Sequence, residues 1–195
     1  MNVTAVHQEK AELRAAALAA RDALPAAERA AAAEAIAARP FPIQIAAGMI
    51  ISGFFPIRSE INPLPLMRRL AAAGASLALP VVAGRGKPLI LRAYAFGDPL
   101  VSGQWGIREP AAEAPEVIPD VMLVPLAAFD RTGHRIGYGA GYYDMTIAKA
   151  RALEPVTAIG IAFSAQEISQ VPARPRDERL DLVLTEREVI DCRNT

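Results

Sequence analysis

Six short and nearly uninterrupted apolar runs constrain this chain most. They lie in AAGMIISGFFP (Ala46–Pro56), ASLALPVV (Ala75–Val82), PLILRAYAF (Pro88–Phe96), VMLVPLAAF (Val121–Phe129), VTAIGIAF (Val156–Phe163) and LDLVLT (Leu180–Thr185). Runs of this length read as strands, and strands that are apolar throughout, not at alternate positions, need cover on both faces. Helical material separates them: alanine-rich Lys10–Arg39, broken into two helices near Leu24–Pro25; about Pro63–Ala73, stopped by Gly74; and Gly141–Leu153. Strands alternating with helices predict an α/β sandwich of three layers around a mainly parallel central sheet. With 195 residues, the expected organisation is a single domain, 1–195.

Charge excludes some functions. Lys and Arg number 21, Asp and Glu also 21, a balance that supports no broad nucleic-acid surface, so any anion site must be local. The lone Cys192 and the two histidines, His7 and His134, make no readable metal cage. MNVTAVHQEKAELR has no apolar leader core, and no long uncharged apolar run follows. The expectation is a soluble, cytoplasmic protein that works without a membrane.

FDRTGHRIGYGAGYYD (Phe129–Asp144) is the segment that points to chemistry. Its alternating glycines Gly137, Gly139 and Gly141 suit neither helix nor strand. Placed between a strand and a helix, they let backbone N–H groups turn inward beside a helix N-terminus, an arrangement that favours phosphate. The spacing is neither the Walker pattern nor the dinucleotide fingerprint. Asp144 sharpens the reading, because a carboxylate beside phosphate oxygens is repelled unless a cation lies between, and Mg2+ accepts one or two carboxylates together with phosphates. A surface turn with a helix-favouring aspartate is the alternative.

Lys10 and Arg14 are four apart, hence on one helical face, with Arg21 on approximately the same face. They either grip phosphates or form a solvated surface. Gly97–Asp120, rich in proline and glycine, is a connection long enough to suggest function. Its Trp105 is either a packing residue or a stacking surface for a flat ring.

Taken in order, KAELR, FFPIRSEIN, GQWGIREP, LVPLAAFDRTGHRIGYGAGYYD and GIAFSAQEISQVPARPRDERLDLVLTE resemble the 5-formyltetrahydrofolate cyclo-ligase family over nearly the whole chain. The resemblance implies a Rossmann-like α/β fold, a monomer, and ATP- and Mg2+-dependent conversion of 5-formyltetrahydrofolate to 5,10-methenyltetrahydrofolate. It implies that ATP is held by Lys10, Arg14, Arg135, Gly137, Tyr138, Gly139, Ala140, Gly141, Tyr142 and Tyr143. The folate would be held by Phe55, Glu60, Trp105, Tyr138 and Tyr142, and Mg2+ by Asp144 and Asp177; Lys10, Arg135 and Tyr143 are the catalytic candidates. Two departures stand out. Ala140 replaces a common glycine and restricts positive backbone angles, and Arg176 replaces a common histidine before Asp177. Asp181 is a rival to Asp177. A folate-binding protein without turnover, or a kinase or ligase for another small substrate, are the competing functions.

Overall fold

The computed structural model describes residues 3–193. In chain order its elements are α1 (Val3–Asp22), α2 (Ala26–Ala38), β1 (Ile50–Ser52), α3 (Leu64–Ala72), β2 (Ser76–Val81), β3 (Ile90–Tyr94), β4 (Leu100–Ser102), β5 (Arg108–Pro110), β6 (Val121–Pro125), β7 (Ala128–Phe129), β8 (Arg135–Ile136), α4 (Tyr142–Arg151), β9 (Thr157–Ile161), β10 (Leu182–Leu184) and β11 (Val189–Asp191). The central sheet runs β11-β10-β9-β6-β1-β2-β3. Its inner pairings are parallel, and only the outermost strands, β3 and β11, run antiparallel.

Apolar runs become doubly covered strands because successive side chains point to opposite faces. In β6, Val121 and Leu123 join Ile51, Leu79, Ile159 and Ile161 under α2 and α3, where Ile36, Leu66, Met67 and Leu70 complete the core. The alternate residues Met122 and Val124 join Ala158 and Val183 under Ile147 and Ala150 of α4. Burying one such leucine stabilises the fold by about 1.5–3 kcal/mol. The three layers are therefore α2 and α3, the sheet, and α4. Helix α1 stands apart from them, with Ala17 against Ala128, Ile136 and Val171.

Helix boundaries follow local chemistry. Pro25 precedes α2 with φ −56°, and Gly74, at φ +100°, ends the turn after α3, a conformation natural to glycine. The break near Leu24–Pro25 is as expected, while α1 begins well before Lys10. Among the described residues no helix is long and apolar enough to cross a membrane.

Three segments differ from the sequence reading. The run Val121–Phe129 is two strands, since β6 ends at Pro125 and β7 pairs with β8 in a separate small sheet. The Gln166 side chain satisfies the carbonyls of Leu126 and Ala127 at the break, at 2.8 and 3.0 Å. Gly97–Asp120 contains the β4–β5 hairpin, closed by a 3-10 turn at Gln104–Gly106. Leu180–Thr185 is followed by one more strand, β11, which caps the sheet edge.

Candidate active site

The chain leaves β1 for β2 on one side and β6 for β9 on the other, so the strand order reverses between β1 and β6. Open α/β sheets bind ligands at that crevice, beyond the carboxyl ends of the strands. A cavity of about 700 Å³ occupies this place, walled by Phe54 and Phe55 after β1, Pro80 and Val82 at the end of β2, and Pro125 at the end of β6.

The glycine loop forms one wall. Gly139 and Gly141 take φ of +101° and +69°, so glycine is needed at both. Arg58 is the only other residue type with positive φ among those described, and Ala140 therefore fits its position without backbone strain; the restriction expected there has no effect. Gly141 caps α4, whose first-turn N–H groups lie beside the cavity. Arg135, 6% exposed, donates from Nη2 to Asp144 Oδ1 at 2.7 Å and from Nη1 to the Glu178 carbonyl. Burial lowers the pKa of its guanidinium, and Asp144 opposes that shift.

Helix α1 supplies the facing wall. Lys10 pairs with Asp177 at 2.5 Å, and Arg14 Nε donates to the Gly137 carbonyl at 2.6 Å. Both side chains line the cavity, as does His7 one turn earlier, so this part of the helical face turns toward the cavity.

Phe55, Glu60 and Tyr138 form another part of the same cavity. Glu60 accepts from the Ile57 N–H at 2.8 Å, and its neighbour Tyr138 accepts from Arg21 Nη1 at 2.6 Å. Burial raises the Glu60 pKa, partly countered by the Tyr138 hydrogen bond and the charge of Arg21. Removal from water also raises the Tyr138 and Tyr143 phenols, which keeps both protonated and able to donate.

For a metal, the described residues contain no group of three or more His, Cys, Asp or Glu suited to an ion. Mg2+ needs no such cage when phosphates and water complete its octahedron. Asp144 and Asp177 both line the cavity. Asp144 uses Oδ1 for Arg135 and for the Glu178 N–H, and Asp177 uses Oδ2 for Lys10 and the Arg174 N–H. Among the described residues, no hydrogen bond is found to the second oxygen of either carboxylate. Asp181 lies elsewhere, bound to Arg151 and the Ala158 N–H, which favours Asp177 over its rival.

Apart from Arg21, Asp181 and Trp105, the last with its side chain outside the described residues, every candidate residue lines one cavity. Sequence reading missed Arg174, Ile107 just before β5, and Arg108 and Glu109 within it, all on the cavity wall. Glu109, 5% exposed, accepts from the Val82 N–H, which ties the hairpin to the end of β2. A buried carboxylate in a strand of the long connection leaves no periodic signal.

Comparison with known proteins identifies the family. The model of the 5-formyltetrahydrofolate cyclo-ligase family matches residues 6–186. The 5-formyltetrahydrofolate cyclo-ligase of Mycolicibacterium smegmatis is 34% identical over 94% of this chain and 96% of its own, and that of Escherichia coli strain K12 is 30% identical over 71% and 79%. The NMR structure of Aquifex aeolicus 5,10-methenyltetrahydrofolate synthetase superposes with a TM-score of 0.76 at 28% identity, covering 95% of this chain and 94% of that one. With its α/β fold, its cavity at the strand reversal and these relatives, the chain belongs to the 5-formyltetrahydrofolate cyclo-ligase family of enzymes.

Proposed function

We propose that the protein converts 5-formyltetrahydrofolate to 5,10-methenyltetrahydrofolate, consuming ATP with Mg2+ and releasing ADP and phosphate. The observation that carries this reading is one cavity holding two chemistries: the Gly137–Gly141 loop with Lys10, Arg14 and Arg135, and the Phe55, Glu60 and Tyr138 cluster. The first suits a polyphosphate and the second a flat heterocycle with N–H donors. Their shared space suits transfer between the two.

The formyl oxygen on N5 is a poor leaving group. Transfer of the γ-phosphoryl to it, with ADP leaving, turns it into a good one; the N10 lone pair then attacks the formyl carbon, the C–O bond breaks, phosphate departs and N10 loses its proton. This sequence needs no side-chain nucleophile. It needs positioning and neutralised charge.

Lys10, Arg14 and Arg135 supply the positive field, and the loop amides cradle the phosphates through Gly139 and Gly141. Asp144 and Asp177 would hold Mg2+, which would supply charge neutralisation to the phosphates. Protonated Tyr143 donates toward the transferring group, and Tyr142 borders both ligands. Glu60 accepts from the pterin N–H groups while Phe55 packs on the ring. Arg135 also fixes Asp144, so one buried guanidinium orders the metal-facing carboxylate.

The test is absorbance in the methenyltetrahydrofolate band after mixing protein, 5-formyltetrahydrofolate, ATP and Mg2+, with ATP omitted or a chelator added as controls. A rise that requires all components is the expected result. Folate binding without any rise would identify a binding protein instead, and ATP turnover without folate binding would identify an enzyme for another substrate.

A further inference from the structure

Arg21 is buried at 3% exposure, yet it does not line the cavity. Its guanidinium donates from Nη1 to the Tyr138 hydroxyl at 2.6 Å and from Nε to Ser59 Oγ at 3.0 Å. Tyr138 in turn lies beside Glu60 on the cavity wall, and its hydroxyl favours the ionised carboxylate; Ser59 donates to Asp22. A buried arginine is costly unless its donors are used, and here they are spent on the residue before Glu60 and on the tyrosine that touches it.

We propose that Arg21 is the positioning residue for the folate: from behind the cavity wall it holds the Tyr138 hydroxyl and the Ser59 turn, and these two fix the Glu60 carboxylate for the pterin. The proposal rests on the reading of the cavity as a folate site.

The physical argument has two parts. Tyr138 sits on the glycine loop, 47% exposed, and its hydroxyl needs an anchor to stay beside Glu60. Arg21, as a donor, takes the oxygen lone pair and leaves the hydroxyl proton for Glu60. The second part is charge. A carboxylate accepts from two pterin N–H groups only when ionised, and burial works against ionisation. The groups facing Glu60 are Arg21 from α1, Tyr138 from the loop and Tyr143 from α4, and Arg21 is the one cation among them. Asp22, 61% exposed at its side chain and 3.7 Å from Arg21, competes weakly for that charge.

Position also distinguishes this role from simple anchoring of α1. The same helix carries Lys10 and Arg14, so a tether whose loss loosened the helix would weaken ATP and folate together. A positioning residue affects the folate alone.

The experiment measures binding of 5-formyltetrahydrofolate without nucleotide by calorimetry, and KM for both substrates, in the wild type, Arg21→Met, Arg21→Lys and Tyr138→Phe. Arg21→Met is expected to weaken folate binding about tenfold, the scale of a lost hydrogen bond to a charged group, with KM for ATP unchanged. Arg21→Lys should recover part of the loss, and folate affinity in Arg21→Met should fail at a higher pH than in the wild type as acid is added. Wild-type folate affinity in Arg21→Met, or an equal rise in both KM values, overturns the proposal. If Arg21→Met does not fold, Tyr138→Phe carries the test, and undiminished folate affinity there overturns it equally. A wild-type protein that neither binds nor turns over the folate overturns the reading of the cavity, and this proposal with it.

Discussion

Arg135 Nη2 and Asp144 Oδ1 stand 2.7 Å apart, one on β8 and the other in the first turn of α4. The arginine is almost fully buried while the aspartate side chain keeps 31% of its surface. The two partners therefore lose different things when either is replaced.

Asp144→Asn leaves the buried guanidinium without its counter-charge, so it is expected to lower stability by about 1–3 kcal/mol. Arg135→Met leaves a carboxylate that water can still reach, and it should cost less. Urea unfolding without ligands checks that order. Turnover should be lost in both.

Gly139→Ala and Gly141→Ala force a side chain into the left-handed region, at a cost of roughly 1–2 kcal/mol each. For Gly139 the cost is conformational and not steric, since the nearest atom to an added Cβ would be an Arg14 nitrogen at 3.9 Å. Ala140→Gly should leave turnover and KM for ATP close to wild type, because that residue has no positive φ to relieve. Urea unfolding tests the two glycine variants, and steady-state kinetics with varied ATP tests Ala140→Gly.

Glu60 sets a pH dependence whose sign is fixed. Its pKa in the fold is raised by burial, so between the ordinary carboxylate value and the raised one the folded state binds more protons than the unfolded state. Stability is expected to fall as pH rises across that window and then to level off. Glu60→Gln removes this component, so thermal melts of the two proteins across the acid range should diverge with rising pH. The same substitution should weaken folate binding chiefly, leaving ATP affinity in place.

Gly133 closes the turn between β7 and β8, at φ +87°. An added Cβ would run into the Leu180 carbonyl oxygen and approach Cys192 Cβ at 3.0 Å. Gly133→Ala combines backbone strain with a clash against main chain, and about 2–4 kcal/mol of destabilisation is expected. Since this turn precedes Arg135, the variant should also lose activity before it unfolds, measured as turnover against urea.

What the sequence showed depended on whether the signal was local. The glycine loop was legible because left-handed angles at Gly139 and Gly141 and a helix start at Tyr142 are properties of neighbouring residues. The face carrying Lys10 and Arg14 was legible through helical spacing, though only the fold shows what it meets. β7 and β8 were not, because strands of two residues carry no period and Pro125 within an apolar run hides the break. Helical spacing sets Arg21 near the face of Lys10 and Arg14, but its partners, Ser59 and Tyr138, come from distant segments. Arg174 and Glu109 reach the cavity through loop and hairpin paths that no pattern of hydrophobicity encodes.

The walls of the cavity come from opposite ends of the chain: Arg14 meets Gly137 across 123 positions, and Lys10 meets Asp177 across 167. A growing polypeptide can complete α1 early, but the helix has no loop to hold until the ribosome has passed Tyr138, and Lys10 has no carboxylate until it has passed Asp177. Chains cut short in between are left with cationic side chains and no assembled cavity. On the proposed reading, competence to spend ATP arrives late in synthesis, and unfinished copies of the protein are idle instead of wasteful.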